Sequence, residues 1–389
     1  MSIFAAVTSD LRATRPALLS LAVASCLAVT TEVLPVGLLT GIGEGFGVEA
    51  SVTGLLVTLY AVMVATLAVP LTLITSRFPR KPLLLLTLAG YALSNAMVAA
   101  APVFAVVAAG RMIGGITHAL FFSLCIGYVP RLVSGAYVGR ALALATGGAS
   151  AGFVLGVPLS TSLGTAVGWR ASFAVLAVAA VAVLALVAVV LPDVSGDHPE
   201  GTGDGRGGEL AAVAVANVLT YLGQFTLYTY ISLLLLSSGL EPALVGPLLL
   251  LCGACGFAGL YCTAKTLDRN PRATATTVLL TVIGGLVILA CTYPTLGWVV
   301  LAAGVWNGAF GGVPSIYQAC AVRSQAASPE LSGAWVNATA NLGIAGGAAI
   351  GAGVLTVADV GVLPWVAVGL VAAGLVVVVA ARRAFPSTS

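Results

Sequence analysis

The chain has 389 residues, 59% of them hydrophobic and only 7% charged, with a formal net charge of +3 and a mean hydropathy of +1.10. Soluble domains carry about 25% charged residues, so a soluble globular protein is excluded and a polytopic membrane protein is predicted. The net charge itself is uninformative about nucleic acid, and no nucleic-acid partner is expected.

Apolar segments separated by charged or Gly/Pro breaks fall at 16–40, 51–75, 82–101, 103–130, 139–165, 170–191, 209–237, 242–264, 273–292, 295–320, 331–357 and 361–381. Each is long enough to cross a bilayer as a helix, which predicts an all-α protein of twelve transmembrane helices. Asp10, Arg12 and Arg15 precede the first segment. That segment is too long for a cleaved signal peptide and lacks a convincing cleavage site, so it is read as a retained span.

Basic residues set the orientation, because cytoplasmic loops are enriched in Lys and Arg. With a cytoplasmic N-terminus, 14 of the 16 basic residues fall on the inner side, among them Arg77, Arg80, Lys81, Arg269 and Arg272. The opposite orientation would place those 14 outside. A bacterial cytoplasmic membrane with both termini inside is expected.

The longest polar stretch, Pro192–Gly208, has the Gly/Asp-rich composition of a flexible linker. It divides the chain into residues 1–191, a cytoplasmic linker at 192–208, and residues 209–389. The two larger parts are related. A shift of 192 aligns Gly47-Val48-Glu49 with Gly239-Leu240-Glu241, Arg77 with Arg269 and Arg80 with Arg272; a shift of 191 aligns Gly152 and Gly156 with Gly343 and Gly347. Two six-helix halves with weak internal identity mark a duplicated secondary transporter. The shift of 192 also sets Glu32 opposite Gln224.

All seven cysteines lie in apolar segments. Cys252-x-x-Cys255 has the spacing of a redox or metal pair, but it sits in a run of Leu, Gly and Ala and reads as core packing. No disulfide, metal or cofactor is expected.

Three stretches carry a family resemblance: Thr30-Thr31-Glu32-x-x-Pro35-Val36-Gly37-Leu38-Leu39; Arg111-x-x-Gly114-Gly115-x-x-His118-Ala119-x-Phe121; and Gly152-x-x-x-Gly156-Val157-Pro158 leading to Gly168-Trp169-Arg170-x-x-Phe173. With twelve helices in a 6+6 repeat, the chain resembles the major facilitator superfamily, in its drug:proton antiporter branch. Within that branch the likeness is closest to bacterial sugar efflux and arabinose efflux permeases. The resemblance implies a pseudo-twofold fold whose helices 1, 4, 7 and 10 line a cavity. It also implies a gating role for the inner loops through Arg77, Arg80 and Lys81 and their repeat copy Asp268-Arg269. The family's loop signature has lost its acid and both glycines in the first copy. The helix 5 antiporter signature keeps Gly152 and Gly156, but its proline comes one residue late, at Pro158.

Glu32 is the one acid well inside a span. A charge there costs about 2.5–3.5 kcal/mol on insertion scales, so an ion or substrate pathway is the default reading. Burial disfavours the ionised form of a carboxyl, and such a group can take up and release a proton. Its alternative is a carboxylate neutralised by a static partner. Arg111 matches the helix 4 Arg that relatives tie to proton coupling; it either pairs with Glu32 or bonds backbone carbonyls of helix 1. His118 lies seven residues on, on the same face, as a proton relay, a substrate contact or a plain hydrogen-bonding residue.

Tyr221, Gln224 and Tyr228 form one face of helix 7, Asn307 and Gln318 lie on helix 10, and Asn337 and Asn341 make an i, i+4 pair on helix 11. With Tyr60 and Phe122 they are candidate substrate-binding groups, interhelical hydrogen bonding being the alternative for each. Gly152, Gly156, Pro158, Gly343 and Gly347 are read as helix-packing positions. The expected function is proton-coupled efflux of a small organic molecule by a monomer, the proton being the coupling ion and the bilayer its surroundings. A sugar efflux permease and an importer or facilitator on the same fold are the alternatives. No nucleotide-binding motif and no paired catalytic carboxylates appear, so neither an ATP-driven pump nor an enzyme is expected.

Overall fold

The computed structural model describes residues 2–133, 147–193, 207–267, 269–327 and 329–387. Every regular element among them is helical. In hydrocarbon a spanning segment must satisfy its own backbone, and a helix does this within one segment. Among the described residues twelve helices are long and apolar enough to span: α1 Thr14–Phe46, α2 Ala50–Ile74, α3 Arg80–Ala99, α4 Phe104–Val129, α5 Gly147–Val167, α6 Trp169–Val190, α7 Gly207–Ser237, α8 Pro242–Leu267, α9 Pro271–Thr292, α10 Leu296–Arg323, α11 Leu331–Val357 and α12 Val360–Ala380. The predicted start of the fifth helix, at 139, and the linker residues 194–206 lie outside the described residues.

Three helices are less regular than the sequence predicts. α5 opens with a π-helical turn over Gly152–Gly156. Pro158 has no N–H for the carbonyl of Val154, and the wider turn carries the chain past this gap. α10 is interrupted at Gly311-Gly312 and resumes at Val313, with Pro314 in its first turn. The glycines admit a close approach of α8: a Cβ on Gly311 would stand 2.0 Å from the carbonyl oxygen of Gly256. α7 turns at Thr229-Tyr230, between helical segments Gly207–Tyr228 and Ile231–Ser237. No glycine or proline marks that break. It places Tyr230, whose hydroxyl donates to the carbonyl of Ala348 at 2.9 Å, in a hollow between Gly54 of α2 and Gly351 of α11.

Helices α1–α6 meet α7–α12 mainly along two seams, α2 against α11 and α5 against α8, with α1 touching the second segment of α7. Ser232 of that segment donates to the carbonyl of Val36 at 3.0 Å. Small residues let backbones approach closely. A Cβ on Gly152 would lie 2.6 Å from the carbonyl oxygen of Cys26, and one on Gly156 only 1.9 Å from Thr30 Oγ1, so α5 packs on α1 beside Glu32. Gly343 and Gly347 bring α11 onto α7 at Tyr221 and Leu222 in the same way. The carbonyl of Pro158 faces Gly246 across the α5–α8 seam.

Candidate functional site

Pro35 organises the first half of the site. A proline inside a helix cannot donate to the carbonyl four residues earlier and pushes it aside; here that is Thr31. Arg111 of α4 supplies the missing donor. Its Nη1 donates to the Thr31 carbonyl at 2.6 Å and its Nη2 to the Glu32 carbonyl at 2.6 Å. The guanidinium also lies over the Tyr60 ring, 4.2 Å from its centroid. Of the two arrangements open to Arg111 from sequence, the structure shows the backbone clamp. Asn95 of α3 adds a bond to Thr31 Oγ1 at 3.1 Å.

The Glu32 carboxylate is thereby left without an Arg partner. Among the described residues its one ion-pair contact is with His118, whose Nε2 lies 3.5 Å from Oε2. Arg111 and His118 are almost wholly buried, while the Glu32 side chain keeps 12% of its surface exposed. Glu32 shares a helix face with Val29 and Val36, which pack in one cluster with α7 residues. The carboxylate therefore looks toward the second half of the chain.

His118 Nδ1 lies 2.9 Å from the Tyr60 hydroxyl and 3.0 Å from that of Tyr91. Tyr60, predicted on the substrate wall, is fully buried in this cluster instead. Phe122 stays half-buried with its ring centroid 4.9 Å from that of His118.

Opposite, Gln224 stands where the repeat places Glu32. Trp306 Nε1 donates to its Oε1 at 2.6 Å, and its Nε2 makes a long contact of 3.5 Å to Asn307 Oδ1. Asn307 donates in turn to the carbonyl of Ala303 at 2.9 Å. Aromatic rings continue the surface: Tyr221 meets Phe310 with centroids 5.3 Å apart, Phe225 meets Tyr228 at 5.7 Å, and Tyr228 meets Trp306 at 6.2 Å. One half thus offers a carboxylate and an imidazole, the other amides and rings.

The remaining predicted positions are scattered. Asn341 donates to Asn337 Oδ1 at 3.2 Å, which leaves its own Oδ1 buried without a partner. Gln318 is half-buried in the second segment of α10. At the end of the bundle holding the α2–α3 loop, Arg77 and Arg269 are exposed and Arg80 is buried. Lys81 reaches Asp193 at 3.9 Å. Asp268 lies outside the described residues.

Residues 21–335 match the family model described as Major Facilitator Superfamily. The chain belongs to that superfamily. A chloramphenicol efflux pump of Mycobacterium tuberculosis (strain ATCC 25618 / H37Rv) is 31% identical over 350 residues, covering 85% of this chain and 84% of the pump. A probable sugar efflux transporter of Helicobacter pylori (strain HPAG1) is 28% identical, covering 83% and 84%. Among solved structures, a D-xylose-proton symporter superimposes with a TM-score of 0.73 at 13% identity, over 96% of this chain and 98% of that one; that likeness is one of fold. As a major facilitator protein the chain is a multi-pass membrane transporter, not an enzyme.

Sequence reading of this transporter missed Tyr91, Asn95, Trp306, Phe225 and Phe310. One of them carried a signal: a buried Trp N–H needs an acceptor, and Trp306 stands next to Asn307.

Proposed function

We propose that the chain is a proton-coupled efflux transporter of a bacterial cytoplasmic membrane, with both termini cytoplasmic, exporting a small neutral organic molecule by alternating access. One observation carries the reading: among the described residues the only acid deep in the spans faces the opposite half, with a single 3.5 Å contact to a histidine and no Arg on its oxygens. A carboxylate committed to a static ion pair has no free capacity; this one can take a proton from the cavity or yield to cargo. The Arg111 charge, clamped to the backbone beside it, keeps the carboxylate from being isolated in the membrane. Protonated Glu32 and bound cargo then favour opposite openings of the cavity, so inward proton flow drives cargo out.

The rings of Tyr221, Phe310 and Tyr228 beside the Asn307 amide fit a neutral aromatic cargo with hydroxyl or amide groups. The chloramphenicol pump at 31% identity makes chloramphenicol the first probe. The same rings and amides also suit a sugar, the second reading, in line with the sugar efflux relative. In proteoliposomes an imposed proton gradient is expected to drive one probe, chloramphenicol or a pentose, against its concentration. Glu32→Gln is expected to abolish that accumulation while leaving exchange without a gradient. Full gradient-driven accumulation by Glu32→Gln would defeat the proposal.

A further inference from the structure

Two phenol hydroxyls converge on one ring nitrogen. Tyr60 of α2 and Tyr91 of α3 both place a hydroxyl within 3.0 Å of His118 Nδ1. Neither phenol has any exposed surface. A neutral imidazole has one N–H and one bare nitrogen. A bare Nδ1 accepts from the phenols, each of which carries an O–H to donate. The ring proton is then on Nε2, the nitrogen facing Glu32.

We infer that Tyr91 and Tyr60 are positioning residues of the coupling site: by donating to His118 Nδ1 they hold the ring proton on Nε2, where it faces the Glu32 carboxylate and supports its ionised form. This row of contacts runs from the two phenol O–H groups to His118 Nδ1, and from His118 Nε2 to Glu32 Oε2 at 3.5 Å. The inference rests on the reading of Glu32 as proton carrier and extends it to two residues on other helices. No proton travels along the row, because both phenols are sealed from water. The proton enters at the carboxylate from the cavity. A protonated carboxyl is a weaker acceptor than an ionised one, so the row slackens at its end.

Slackening matters because the row joins four helices. Glu32 lies on α1, Tyr60 on α2, Tyr91 on α3 and His118 on α4. Tyr60 also packs with Val64, Ala68, Ala119 and, across the seam, Ala338 of α11. The charge state of Glu32 is thereby felt on the α2–α11 surface along which the halves meet. Other titratable groups bearing on the row are Arg111, over the Tyr60 ring, Cys125 near Tyr91 and Tyr221 near Glu32.

The chain has two histidines, so His198→Gln leaves His118 alone for nitrogen NMR. The protein is labelled with ¹⁵N-histidine, purified through a tag without histidine, and titrated in nanodiscs without any cargo. At high pH the Nε2–H tautomer is expected, with Nδ1 as acceptor. Both resonances should move in one step as Glu32 takes its proton, and Glu32→Gln should remove the step. Tyr91→Phe deletes only a hydroxyl and is expected to move the midpoint upward by about one pH unit, a tenfold change; Tyr60→Phe, which deletes the other donor to Nδ1, should move it in the same direction. An Nδ1–H tautomer at high pH, a step that survives Glu32→Gln, or an unmoved midpoint in both Phe variants would overturn the inference. Failure of gradient-driven transport with the step intact would instead strike the proton-coupled reading.

Discussion

Arg111 and Pro35 are predicted to be energetically coupled. Arg111→Met keeps much of the side-chain bulk but deletes two charge-assisted bonds, each 2.6 Å long. Such bonds are worth about 1.5–3 kcal/mol each, so the native background should lose about 3–6 kcal/mol. The two acceptors differ, however. The Glu32 carbonyl has the N–H of Val36 as its helical donor, whereas the Thr31 carbonyl has none, because residue 35 is proline. Pro35→Ala returns that N–H to Thr31. In the Pro35→Ala background Arg111→Met is therefore expected to cost about half as much, leaving a coupling of about 1.5–3 kcal/mol. Thermal unfolding of the four proteins in one detergent, followed by tryptophan fluorescence, completes the cycle. The fall in melting temperature caused by Arg111→Met should be about halved when Pro35 is absent. Equal falls in the two backgrounds would show that Arg111 does not substitute for the missing backbone donor. The clamp would then have to be explained by its stacking on Tyr60 alone.

Trp306→Phe keeps a ring but removes the donor to Gln224, which is 2% exposed. Leaving that amide oxygen unpaired costs about 1–3 kcal/mol. The half-saturating concentration for the cargo probe should change while the dependence on the proton gradient stays; loss of that dependence would show that the two halves do not divide cargo binding and coupling. For the orientation, a cysteine placed at position 198, with Cys262 and Cys291 replaced, is expected to react with a membrane-impermeant maleimide only after the cytoplasmic face is opened. Labelling of intact spheroplasts would reverse the topology.

Much of the candidate site was legible in sequence because each sign of it is local. A carboxylate and an arginine inside apolar segments violate the solvation rule of the segment itself, so Glu32 and Arg111 stand out without any neighbour being known. His118 follows from its spacing to Arg111. Its partners do not: Tyr60 reads equally as a wall residue, and Tyr91 as one more packed ring. Which of them touches His118 depends on how far α2, α3 and α4 are rotated and how deeply each sits.

The sequence by itself determined the twelve spans, the skew of basic residues to one side, the twofold repeat and the replacement of Glu32 by Gln224 in the second copy. All of these are properties of single segments or of residue counts, which a bilayer imposes one helix at a time. Tertiary structure alone decided the rest. It gave the Arg111 fork to the carbonyl released by Pro35 and put two phenols on one imidazole nitrogen. It tied Gln224 to Trp306, and it turned α7 at Tyr230 to fill a hollow between two glycines. Each of these is a contact between helices distant in the chain, made at separations of a few ångströms that spacing along one helix cannot specify.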